Sequence, residues 1–280
     1  MTNVQTTTSP ITAAFARARA ERRVALIPYV MAGYPDLATG EALAVAFGQA
    51  GADLIEIGVP FSDPLADGAT VQHASQIALE QGMTLAGALE LAGRVSAQAA
   101  TPLVLMTYYN PIFSYGIEHF CTAAKAAGVA GLIVPDLPAE EADPLLRAAR
   151  ECGIALVFLV APTSTDARIE TVARVAAETG GFIYCVALSG VTGARDRLPE
   201  DLAAFIARVR AHTSLPLAVG FGVARPEHVA AIGRIADGAV VASALLNAVD
   251  AAPPDQRVAT GVAFLRELQS GAHLGATSSP

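Results

Sequence analysis

Short runs of β-type hydrophobic residues alternate along this chain with longer amphipathic segments rich in Ala, Leu, Glu and Arg. The runs begin near Ala25, Asp53, Pro102, Gly131, Ala155, Phe182, Leu215 and Gly238. Each leads through a loop into a helical pattern, as over residues 140–152, 167–179 and 227–235. Several runs lack polar alternation. Ile154-Ala155-Leu156-Val157-Phe158-Leu159-Val160 is one, and it suits a strand covered on both faces, as in parallel α/β sheets. Glycine recurs where a helix should stop and a strand start: Ala50-Gly51-Ala52, Ala127-Gly128-Val129, Cys152-Gly153-Ile154 and Ala236-Asp237-Gly238. That placement suits the left-handed residue after a helix end. Eight such units in about 250 residues predict an α/β fold with one closed (β/α)8 barrel, the TIM-barrel architecture. An open doubly wound sheet would place G-x-G-x-x-G after the first strand. The chain has Met31-Ala32-Gly33-Tyr34-Pro35-Asp36 there.

Between the second and third runs, residues 71–81 and 85–98 both carry helical patterns, so an extra helix is expected after strand two. No Pro-, Gly- or Ser-rich linker and no charge block interrupts residues 11–268, which predicts a single domain over 11–270. The Thr-rich residues 1–10 and the small, polar residues 271–280 read as flexible tails.

The mean hydropathy of +0.45 raises the question of a membrane. No apolar run approaches the roughly 18 residues that a spanning helix needs, so a membrane protein is not expected. A net charge of −8 argues against nucleic acid as the main partner. Cys121, Cys152 and Cys185 are odd in number and show no C-x2-C spacing. They read as reduced structural thiols of a cytoplasmic protein, with no metal site. Residues 1–10 lack the basic and apolar regions of a secretory signal.

One residue breaks the apolar pattern. Glu56 stands inside Asp53-Leu54-Ile55-Glu56-Ile57-Gly58-Val59, where an uncompensated ionisable group costs ~2–7 kcal/mol. It reads either as a carboxyl satisfied by a structural partner or as an acid–base group with a displaced pKa. If Ile55, Ile57 and Val59 face the helices, Leu54, Glu56 and Gly58 point into the barrel. Glu56 then lies just below the mouth, where barrel enzymes place their chemistry, and Asp67 on the next loop can hang over it. The same alternation groups Val104, Met106 and Tyr108 in strand three, and Phe182, Tyr184 and Val186 in strand six.

Three small-residue segments fall at the last strands: Gly190-Val191-Thr192-Gly193, Gly220-Phe221-Gly222-Val223 and Ala242-Ser243. Each alone is more often only a turn. Together, with a helix starting at Ser243, they suit a phosphate cradle. Arg195 either adds charge there or is a solvated loop residue.

The stretch Ile57-Gly58-Val59-Pro60-Phe61-Ser62-Asp63-Pro64-Leu65-Ala66-Asp67-Gly68 resembles the signature of the tryptophan synthase α-subunit family. The likeness continues through Pro28-Tyr29-Val30-Met31-Ala32-Gly33-Tyr34-Pro35, Tyr108-Tyr109-Asn110-Pro111, Val134-Pro135-Asp136-Leu137-Pro138, Ser189-Gly190-Val191-Thr192-Gly193 and Gly220-Phe221-Gly222. It implies a cofactor-free lyase of tryptophan biosynthesis that cleaves indole-3-glycerol phosphate to indole and glyceraldehyde 3-phosphate. It places Glu56 and Asp67 at the two catalytic positions, and Tyr29, Met106, Tyr108, Tyr184 and Phe221 around the indole and glycerol. Gly193, Gly222, Ala242 and Ser243 match phosphate-binding positions, although the family usually has glycine where Ala242 stands. Thr192 matches the threonine of the loop that closes beside Asp67. The resemblance also implies an α2β2 complex in which indole passes to a pyridoxal-phosphate β subunit. Loops at residues 62–65, 110–113 and 135–138 are the candidate contacts. The readings set against this are a free-standing indole-releasing lyase, a barrel that binds phosphate ligands and regulates a partner without chemistry, and a sugar-phosphate isomerase.

Overall fold

The computed structural model describes residues 9–186, 201–220 and 222–273. Eight parallel strands form a closed barrel in sequence order: β1 (Ala25–Met31), β2 (Ile55–Gly58), β3 (Leu103–Met106), β4 (Val129–Ile133), β5 (Ala155–Val160), β6 (Ile183–Val186), β7 (Leu217–Gly220) and β8 (Gly238–Val241). The last strand pairs back onto the first, with Ala25 opposite Gly238. Helices α1 (Pro10–Ala20), α2 (Leu37–Gln49), α3 (Ala69–Glu80), α4 (Leu85–Gln98), α5 (Tyr109–Tyr115) and α6 (Ile117–Ala126) belong to the first half. The second half carries α7 (Asp143–Cys152), α8 (Asp166–Ala176), α9 (Leu202–Arg210), α10 (Pro226–Gly233), α11 (Ser243–Ala251) and α12 (Arg257–Gln269). The extra helix after strand two is present as the pair α3 and α4. Among the described residues, no helix is long and apolar enough to cross a membrane.

Strand alternation separates two apolar layers. Ile55, Ile57, Val59, Leu103 and Leu105 pack outward with the helices, while Leu54, Val104, Phe182, Ala218 and Val240 fill the interior. The base of that interior is closed by α1. Ile11, Ala14, Phe15 and Ala18 recur at helical spacing and join the inner cluster, with the Phe15 and Phe182 ring centroids 5.6 Å apart. Ion pairs hold the plug in place. The buried Asp53 carboxylate accepts from Leu26 N–H at 2.9 Å and from Arg23 at 2.5 and 2.9 Å. Asp237 accepts from Leu217 N–H and from Arg19, both at 2.9 Å, and from Arg210.

Two expectations change. Gly51, Gly128 and Gly153 do take positive φ after their helices, but Gly238 does not. A Cβ on Gly238 would sit 2.9 Å from the Phe15 ring, so this glycine makes room for the plug. Residues 110–113, expected as a loop, lie within α5; Asp136 accepts the Tyr109 N–H at 2.9 Å, and Pro111 sits in the first turn, where its missing N–H costs nothing. Pro10 opens α1, Val24 N–H bonds the Ala272 carbonyl at 3.1 Å, and Arg23 bridges to His273.

Candidate active site

Glu56 lies mid-strand in β2, opposite Tyr29 of β1 and Val104 of β3. It is 1% exposed, and its Oε2 has no hydrogen-bond partner among the described residues. A structural carboxyl would be expected to have one. Burial, and then the charge of Asp67, push the Glu56 carboxyl up to about 8. It is therefore mainly protonated at neutral pH.

Asp67 sits on the loop from β2 to α3, half-buried. Burial lifts its carboxyl to about 6, against the pull of a hydrogen bond from the Tyr108 hydroxyl. The same hydroxyl accepts from Ala66 N–H at 2.9 Å, and the Tyr108 ring stacks on Phe61 at 5.1 Å. Gln72 Nε2 donates to the Asp67 carbonyl at 2.8 Å. The two carboxyls are thus set apart by their surroundings: Asp67 has a donor, whereas Glu56 has an apolar shell and a negative neighbour.

Tyr29 and Tyr184 face this pair. Both phenols are raised well above their ordinary value, by burial first and then by the charges of Asp67 and Glu56. Each ring crosses a glycine. A Cβ on Gly58 would lie 1.8 Å from the Tyr29 hydroxyl, and one on Gly220 would lie 2.3 Å from the Tyr184 ring. Gly220, read from sequence as part of a phosphate cradle, therefore serves Tyr184. Met106 packs against both the inner cluster and the group around Tyr29.

At β8, Ala242 leads into α11, whose first residue is Ser243. The unpaired N–H groups and positive dipole end of such a helix suit a phosphate. The Ala242 methyl packs on the apolar cluster containing Tyr29, Met31 and Leu246. Gly222, just past β7, is exposed and has φ +48°. Thr192, Gly193, Arg195 and Phe221 lie outside the described residues. Sequence reasoning singled out neither Gln72 nor Ser75, and it gave Phe61 no part beyond its place in the signature stretch. For Gln72 and Ser75 the only signal was a polar side chain within a helix, which reads as a solvated face.

The tryptophan synthase alpha chain family model matches residues 15–273. The chain belongs to the tryptophan synthase alpha chain family. It is 52% identical over 262 residues to the tryptophan synthase alpha chain of Roseiflexus sp. (strain RS-1), covering 93% of this chain and 99% of that one. Among solved structures, Mycobacterium tuberculosis tryptophan synthase in space group F222 aligns with a TM-score of 0.88 at 36% identity, over 96% of this chain and 100% of that chain. The tryptophan synthase a2b2 complex of Pyrococcus furiosus aligns with a TM-score of 0.83 at 38% identity, over 89% and 99%. Membership of the tryptophan synthase alpha chain family sets aside the sugar-phosphate isomerase. It also gives the paired carboxyls a reaction to be tested against.

Proposed function

We infer that this chain cleaves indole-3-glycerol phosphate to indole and glyceraldehyde 3-phosphate, with Glu56 and Asp67 carrying the reaction. The observation behind this reading is that Glu56 is buried with no partner for Oε2 among the described residues, its carboxyl raised to about 8 beside a carboxyl of lower pKa. Breaking the bond from indole C3 to the glycerol chain is a retro-aldol step that first needs a proton on C3. Glu56 supplies it, leaving positive charge on the ring. The Glu56 carboxylate then takes the proton from the hydroxyl on the adjacent side-chain carbon. The aldehyde forms, the C–C bond breaks, and its electron pair returns to the ring as indole leaves. Glu56 ends protonated, ready for another turnover. Asp67, ionised, accepts the indole N–H and stabilises the positive charge.

Tyr29, Met106, Tyr108 and Tyr184 enclose the indole and glycerol. Gly222, Ala242, Ser243 and the start of α11 hold the phosphate. The scheme draws on no cofactor. The enzyme works in the cytoplasm as an α2β2 complex that passes indole to a β subunit for tryptophan synthesis. The a2b2 assembly of the Pyrococcus furiosus neighbour supports the partner. So do Leu65 and Phe113, 89% and 65% exposed on elements that follow the carboxyl ends of β2 and β3.

The test is indole release by the purified chain, with and without a β subunit, for wild type and Glu56→Gln. Wild type should release indole slowly alone and much faster with the partner. Glu56→Gln should fold, bind substrate and lose ~10²–10⁴-fold in turnover. Wild-type turnover by that variant would sink the role of Glu56. Fast release indifferent to the β subunit would mean a free-standing lyase, and no release at all a regulatory barrel.

A further inference from the structure

We propose that Ser75 is a positioning residue for Asp67, an inference that rests on the role given to Asp67 above. Ser75 is 2% exposed inside α3, a place where serine contributes little to the helix. A serine hydroxyl in a helix commonly turns back to a carbonyl one turn earlier. Here it reaches out of the helix instead. Its Oγ accepts Phe61 N–H at 3.0 Å and donates to the Phe61 carbonyl at 3.2 Å, so one side chain satisfies both backbone groups of that residue.

Phe61 is an early residue of the loop that ends at Asp67. Its ring stacks on Tyr108, and the Tyr108 hydroxyl holds Ala66 and the Asp67 carboxylate. Gln72, three residues before Ser75 and so on the same side of α3, holds the Asp67 carbonyl. The loop is thereby fastened to one helix at both ends and to one tyrosine in between. The hydrogen bonds of the Ser75 hydroxyl go to Phe61, not to either carboxyl. It acts through Phe61 and Tyr108, and without it two backbone groups of Phe61 lose their partner and the stack on Tyr108 loses its anchor.

The experiment compares Ser75→Ala, Ser75→Thr, Tyr108→Phe and Asp67→Asn in the full chain. It follows indole release, and separately the binding of sn-glycerol 3-phosphate as a probe of the phosphate end. Ser75→Ala should lower kcat about tenfold, since small misplacements of a reacting group cost about that or more. Affinity for glycerol phosphate should stay the same, and Ser75→Thr, which keeps the hydroxyl, should recover most of the rate. Combined with Tyr108→Phe, the losses should fall short of the product of the single losses, because both act on one loop. Three results would overturn the proposal: unchanged kcat in Ser75→Ala, an equal loss of glycerol phosphate affinity, or losses that multiply independently. If circular dichroism shows that Ser75→Ala does not fold, Ser75→Cys replaces it at similar volume with a weaker hydrogen bond. Wild-type turnover by Asp67→Asn would refute the role of Asp67 itself, whereas an inactive Asp67→Asn beside an unaffected Ser75→Ala refutes only that of Ser75.

Discussion

Keeping Glu56 protonated near neutral pH costs the fold stability, and the sign follows from its raised carboxyl. The unfolded chain ionises this group above about pH 4.5, whereas the folded chain holds the proton to about pH 8. Between those values the folded state binds more protons, so stability falls as pH rises through the window. Below it the penalty is absent. Glutamine has no such titration. Glu56→Gln should therefore be more stable than wild type by on the order of 4 kcal/mol near pH 8, with the gap closing near pH 4. Urea unfolding across that range checks it, and a gap independent of pH would mean that Glu56 is not held protonated. Glu56 was legible in the sequence because a lone carboxyl interrupts an apolar run. Ser75 was not, because in Ala74-Ser75-Gln76 it reads as part of an ordinary polar face.

Among the elements, α1 is the one whose task its own residues do not disclose. Ile11, Ala14, Phe15 and Ala18 form an apolar stripe like that of any barrel helix. Only the closed barrel, with an open base between its strands, makes that stripe a plug. Phe15→Ala should cost ~3–5 kcal/mol in urea unfolding, because the inner cluster loses a ring that Phe182 and Gly238 pack against. A loss below about 1 kcal/mol would mean that the base is held by Asp53, Asp237 and their arginines instead. The helix α5 shows the same dependence on context. Tyr109-Asn110-Pro111 looks like a turn until Asp136, from the loop after β4, caps it.

At the scale of the molecule, the barrel has a closed end and a working end. Ion pairs and the plug occupy the base, while Glu56, Asp67 and the start of α11 gather at the mouth with Leu65 and Phe113 exposed near them. Large apolar side chains in that position suit burial against a partner. Phe113→Asp should weaken binding of a β subunit about tenfold or more, read by titrating β into the chain and following indole release. Unchanged affinity would remove α5 from the proposed interface.

The eight βα units, the closed barrel, the buried carboxyl of β2 and the family were all determined by the sequence itself. They rest on local signals, hydrophobic periodicity and a run of contiguous residues, that survive without knowledge of neighbours. The tertiary structure alone decided which glycines yield space to Phe15, Tyr29 and Tyr184, and how Ser75 is tied to Asp67. Those properties arise from burial and from contacts between residues distant in the chain. Such contacts exist only once the barrel has closed.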